Sequence, residues 1–158
     1  MTEERKKRVA IIASHGTLDM AYPPLLIATG AVAMDMEASI YFTFYGLQIL
    51  KKGGADKLQV APLANPAMPM PVPNIVGMLP GMTAVATGIM KNMFKSANAA
   101  SLGELLELAR ELGVHLVACQ MTMDALGIKR EELIDGLEYG GVATLLEFCS
   151  QDAITFAF

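Results

Sequence analysis

The chain has 158 residues, 53% of them hydrophobic and 18% charged, with a formal net charge of −4. That length supports one domain with its own core, and the apolar balance suits strands covered on both faces and a surface for self-association. The scattered basic residues lack the electrostatic footprint of a nucleic-acid binder, and two cysteines outside any CxxC pair form no disulfide framework, which fits a reducing cytoplasm.

The charged start "MTEERKK" leads into a short apolar run and a glycine turn, not a small-residue cleavage site, so a first strand and no export signal is expected. "RVAIIAS", residues 8 to 14, is that strand, and "HGTLD" is the loop towards a helix. Pro23 and Pro24 belong in a helix's first turn, so the spacing predicts the main helical body from about Pro23 to Met36. "ASIYFTF", residues 38 to 44, is a β-branched and aromatic strand, and "YGLQILKKGG" a short helix stopped by Gly53 and Gly54.

From Val60 to Phe94 the texture changes to six of the eight prolines, half of the twelve methionines and one charge, Lys91. The prolines forbid a regular spanning helix, and only "GMTAVATGIMKNMF" can be helical. "SLGELLELARELG" follows with Ser101 and Glu104 as a capping box and Leu102, Leu105, Leu106, Ala109 and Leu112 on one face. "VHLVA" is a buried strand, "MTMDALG" a helical turn, Lys129 to Ile134 a short helix, "LEYGG" a brief strand, "GVATLLEFCSQ" a helix and "AITFAF" a terminal strand. The alternation predicts an α/β fold, a three-layer α/β/α sandwich on a mostly parallel sheet of about five strands.

Ligands of such sheets bind beyond the carboxyl ends of the strands. Three loops qualify: "SHGT" at 14 to 17, "TFYG" at 43 to 46 and "CQMT" at 119 to 122. Cys119 is the strong nucleophile among them, placed where a helix start lowers a thiol's pKa. Position alone also allows a buried filler, a common role for free cysteine. Cys149 falls inside a helix and reads as core, and His115 as a satisfied strand histidine. His15 could act as a base, an anion contact or an orienter of a thiolate, or simply bond backbone. No ligand spacing joins the two histidines and two cysteines, so no metal is expected, and neither GxGxxG nor a P-loop is present.

The segments "VAIIASHGTLD", "ASIYFTFYGL", "PNIVGMLPGMTAVATGIMKNMF", "VHLVACQMTMDALGI" and "LEYGGVATLLEFCSQDAITFAF" together resemble the DsrE/DsrF-like family, in its second-type DsrE or peroxiredoxin-like subgroup. The resemblance covers nearly the whole chain in order. It implies a cytoplasmic, homo-oligomeric sulfur-relay protein or sulfurtransferase that carries sulfane sulfur as a persulfide or thiosulfonate on Cys119. It further implies a rhodanese-like protein or small sulfur carrier as donor or acceptor, and no organic or metal cofactor. His15, Gly16, Gln120 and Thr122 are the expected pocket residues by loop position. Relatives often place a basic residue in the turn after the cysteine, whereas "CQMTMDALG" offers Asp124 and no cation before Lys129. A peroxide-reducing role would want a resolving thiol, for which Cys149 has no visible claim.

The chain is thus expected to be one domain over 1–158 with an apolar Pro/Met-rich insertion at about 60–98. The insertion is expected to pack on a neighbouring subunit first, to dock a partner second and to touch a membrane third. It is also a candidate gate over Cys119, resting on residues 66 to 82. The alternative to a sulfur carrier is a non-catalytic adaptor or assembly subunit that docks a redox or membrane-associated complex through this insertion.

Overall fold

A computed structural model describes residues 6–61 and 80–158. The strands are β1 (Arg8–Ala13), β2 (Glu37–Phe42), β3 (His115–Cys119), β4 (Glu138–Gly140) and β5 (Ala153–Ala157). The helices are α1 (Leu18–Ala33), α2 (Met82–Ser96), α3 (Leu102–Glu111), α4 (Gln120–Leu126) and α5 (Val142–Cys149), with 3-10 turns at Phe44–Leu50, Ala55–Lys57 and Arg130–Glu132.

All pairings are parallel, in the order β4-β3-β2-β1-β5. From β1 to β4 the chain steps one way across the sheet, and from β4 it returns to the far edge through α5. Right-handed crossovers of opposite direction must use opposite faces. One face therefore carries α1 and α3, whose Leu18, Ala21, Leu25, Leu102, Leu105 and Leu106 bury Val9, Ile11, Ile40, Phe42 and Leu116. On the other, α5 covers a smaller cluster through Leu145, made of Tyr41, Val117 and Cys119. The expected three-layer α/β/α sandwich of about five strands is what forms.

Two local expectations are corrected. Helix α1 begins at Leu18, five residues before Pro23, and keeps Pro23 and Pro24 inside it. Each proline removes an amide donor from the helix, but Leu18, Ala21, Tyr22, Leu25 and Ala28 recur on one face and are buried, so packing decides the start. Strand β2 ends at Phe42, not residue 44, because Thr43 and Phe44 already turn into the 3-10 run.

The α3 capping box forms as expected: the Glu104 N–H donates to Ser101 Oγ at 3.3 Å and the Ser101 N–H to Glu104 Oε2 at 2.7 Å. Ser101→Ala is expected to lower stability by about 1 kcal/mol, read as a lower urea midpoint at unchanged slope. An unchanged midpoint would show that the box contributes nothing.

Candidate functional site

Cys119 is the last residue of β3 and the N-cap of α4, so it stands at the carboxyl edge of the sheet. Its Cα partner in β4 is Gly140. Gly140 has no side chain because the Thr144 hydroxyl of α5 fills that place: a Cβ on Gly140 would meet Thr144 Oγ1 at 2.3 Å. On β2, Tyr41 lies opposite Val117, one position before Cys119 on the same face. Cys119 is only 1% exposed.

Hydroxyl groups surround the thiol. Thr43 Oγ1 and Thr122 Oγ1 share a hydrogen bond of 3.0 Å, and the Phe44 N–H donates to Thr122 Oγ1 at 3.3 Å. The two threonines come from different segments of the chain, and their bond ties the end of β2 to the first turn of α4. Burial pushes the Cys119 thiol up, but the Thr122 hydroxyl, the Tyr41 hydroxyl, the Thr122 amide and the Thr43 hydroxyl favour the thiolate more. The result is a pKa below the ordinary thiol value. Burial, with the neighbouring sulfur second, drives the Tyr41 phenol strongly upward, so it stays protonated and able to donate. Its hydroxyl is buried and makes no hydrogen bond among the described residues.

Backbone contacts between the first two loops fix this arrangement. A Cβ on Gly46 would lie 2.0 Å from the Ala13 carbonyl oxygen, and one on Gly16 would lie 2.3 Å from that of Tyr45. The Gly46 N–H donates to Ser14 O at 3.1 Å and to Thr43 O at 2.9 Å. Between them Phe44 takes a left-handed φ of 47°, an unusual conformation for a bulky side chain. That bend leaves Phe44, Tyr45 and, from α4, Met121 as large apolar side chains 58%, 67% and 62% exposed.

The expected pocket residues divide. Thr122 belongs to the wall around the thiol. Gly16 serves the loop contact, and His15 is exposed, with its Nδ1 3.1 Å from Ser14 Oγ. Gln120 points to a cation that sequence spacing missed: Arg130 donates to Gln120 Oε1 at 2.9 Å, while Gln120 Nε2 donates to Asp124 at 2.9 Å. The Arg130 guanidinium also lies 4.2 Å from the Tyr139 ring centre. The loop before β4 thus brings a guanidinium onto the side chain of the residue that follows Cys119, although it is not among the groups that lower the thiol's pKa. Tyr41 and Thr43 were likewise missed as site residues; both sit in segments read as strand and loop.

Elsewhere, His115 pairs through Nδ1 with Glu138 at 2.6 Å, near the amino ends of the strands. Cys149 is half-buried on α5. Among the described residues no group of three His, Cys, Asp or Glu side chains could hold a metal ion, and no helix is long and apolar enough to cross a membrane. A cleft of about 700 Å³ lies between α1, α2 and α3, lined by Tyr22, Phe94 and Glu104, and includes none of the expected site residues. The described part of the insertion packs α2 against α1, with Phe94 stacked 4.6 Å from Tyr22. Its proline-rich stretch, and the gate expected there, lie outside the described residues.

The DsrE/DsrF/DrsH-like family description matches residues 5–156. Sulfur carrier protein DsrE2 of Allochromatium vinosum is 46% identical over 155 residues, covering 94% of this chain and 96% of that protein. Uncharacterized protein YrkE of Bacillus subtilis is 37% identical over 161 residues, covering 96% of each. Among solved structures, the ychN protein of E. coli superposes with a TM-score of 0.58 at 14% identity, over 98% of this chain and all of that one. Protein MTH1491 of Methanobacterium thermoautotrophicum gives 0.53 at 12%, over 97% and 100%; both likenesses concern the fold.

Proposed function

The chain belongs to the DsrE/DsrF/DrsH-like family, and from that membership we propose that it is a sulfur carrier in a relay, holding sulfane sulfur on Cys119 as a persulfide or thiosulfonate. The observation that carries the reading is the thiol itself. A cysteine filling a core needs no cluster of hydroxyls, whereas a nucleophile needs its anion stabilised, and Thr43, Thr122 and Tyr41 supply that. The sulfur carrier named among its relatives supports the same chemistry.

Loading is a thiol exchange. The Cys119 thiolate attacks the outer sulfur of a donor hydropersulfide, the new Sγ–S bond forms as the donor's S–S bond breaks, and the donor leaves as a thiolate. Delivery is the same step reversed, with an acceptor thiolate attacking the outer sulfur and Cys119 leaving. No electrons are gained or lost overall, so no redox cofactor is required. Because Cys119 is buried, small thiols reach its sulfur slowly, and a partner that displaces the rim reaches it faster. The exposed Phe44, Tyr45 and Met121 form an apolar rim suited to a protein partner, in the class of rhodanese-like proteins and small sulfur carriers. Gln120 and Arg130 give that rim a polar, cationic side suited to the anionic end of a thiosulfonate. A reducing cytoplasm fits a carrier whose working form is a free thiolate, and the exposed apolar surface fits a homo-oligomer.

The adaptor reading draws on α2, whose Val85, Ile89 and Met93 recur at every fourth position and are exposed. Cys119→Ser separates the two, since an adaptor would keep its partner binding without the thiol. The test of the carrier is intact-protein mass spectrometry after exposing reduced protein to thiosulfate, tetrathionate or polysulfide. A reducible sulfur adduct is expected on the wild type and on Cys149→Ser and none on Cys119→Ser. Equal loading of Cys119→Ser would overturn the assignment.

A further inference from the structure

A buried phenol almost always finds a hydrogen-bond partner. Tyr41 is 4% exposed, and its hydroxyl has none among the described residues. Its setting narrows what the missing partner is. Tyr41 shares its small cluster with Val117, Cys119 and Leu145. Opposite Val117 in register, it is the diagonal neighbour of Cys119, a separation that an aromatic side chain spans.

The other hydroxyls of the pocket are engaged. Thr43 and Thr122 bond each other, and Thr122 also accepts from the Phe44 amide. Between them, the two threonines keep one hydroxyl hydrogen for Sγ. The Tyr41 hydroxyl lies close enough to the thiol to favour its anion but without the geometry of a hydrogen bond to Sγ, which leaves its full bond for an atom placed beyond Sγ. A sulfane sulfur on Cys119 is such an atom, about 2 Å further out. A hydropersulfide is a stronger acid than a thiol, so this outer sulfur carries the negative charge that a protonated phenol can meet.

We propose that the Tyr41 hydroxyl donates to the outer sulfur of loaded Cys119 and so sets how firmly this chain retains its cargo. The proposal rests on the carrier reading and adds to it a specificity-determining residue, one that favours a small anionic sulfur species over a bulky mixed disulfide with no charge to receive the bond. When an acceptor thiolate attacks, the outer sulfur leaves with the acceptor, the S–S bond to Sγ breaks, and the electron pair returns to the Cys119 thiolate. The Tyr41 hydrogen bond opposes that departure.

Tyr41→Phe keeps the ring and removes only the unsatisfied hydroxyl, so its folded stability should equal or exceed that of the wild type. Wild type and Tyr41→Phe would be loaded with polysulfide, freed of excess reagent, and titrated with glutathione at neutral pH. The bound sulfur would be read by intact mass and the fold by urea unfolding. Half-release of sulfur from Tyr41→Phe is expected at an about tenfold lower glutathione concentration, as for loss of a hydrogen bond to a charged group. Equal retention by the two proteins would overturn the role of Tyr41 while leaving Cys119 as carrier. A wild type that takes up no sulfur would overturn both.

Discussion

Gly46→Ala is expected to lower stability by about 3 kcal/mol and to raise the pH midpoint of Cys119 alkylation. The added Cβ would stand 2.0 Å from the Ala13 carbonyl oxygen and 2.8 Å from its carbon. Both are backbone atoms in the central strand β1, so no rotamer change relieves the clash. The loop after β2 must move instead, and it carries Thr43 and the Phe44 amide, both of which lean on Thr122. Displacing them removes support from the thiolate as well as from the fold. Gly30→Ala in α1 is the matched control: nothing lies within 4 Å of its added Cβ, and alanine favours a helix interior by up to about 1 kcal/mol. Urea unfolding of the two variants, with iodoacetamide labelling across pH, gives the comparison. A loss at Gly46 no larger than at Gly30 would show that the loops are not locked by this contact.

Why the sequence speaks for some of this and not the rest follows from what each feature depends on. The alternation of β-branched runs with helical ones is local, and it placed all five strands. Ser101 and Glu104 announce α3 because a capping box is written in four consecutive residues. Helix α1 went astray at its start because two rules compete there: proline argues against its first turns, while the buried face from Leu18 to Ala28 argues for them, and tertiary packing wins. The site divides in the same way. Cys119 stands out because a strand end, a helix start and a nucleophile coincide in adjacent residues. Tyr41 could not be found so, since its place beside Cys119 depends on the β2–β3 register, with Tyr41 opposite Val117. Arg130 follows Cys119 by eleven positions and reaches Gln120 only because the loop before β4 folds back. Thr43 looked like the end of a strand, and its value comes from a partner 79 residues away.

That partnership makes Thr122 the most exacting test of the thiolate's support. Valine matches threonine in shape, so Thr122→Val removes one oxygen and little else. The Phe44 amide and the Thr43 hydroxyl lose a buried partner, which is expected to cost about 2 kcal/mol. The sulfur loses the foremost of the groups that hold its pKa down, so burial's upward push is less opposed and the pKa rises. In the wild type the folded thiol lies below its ordinary value of 9.0. Its ionisation therefore adds stability that is fully present above 9.0 and is lost as the pH falls through the lower, folded value. Thr122→Val should lose part of that alkaline increment, so its stability should trail the wild type by more at high pH than at neutral pH. Alkylation should show the same change directly, with a midpoint at higher pH and a neutral-pH rate reduced by the fall in thiolate fraction. Thr122→Ser, which restores the hydroxyl but not the methyl, should recover the alkylation profile and only part of the stability. If Thr122→Val labels with the wild-type pH profile, the hydroxyls are there for packing of the loops alone, and the low thiol pKa must come from the backbone of α4.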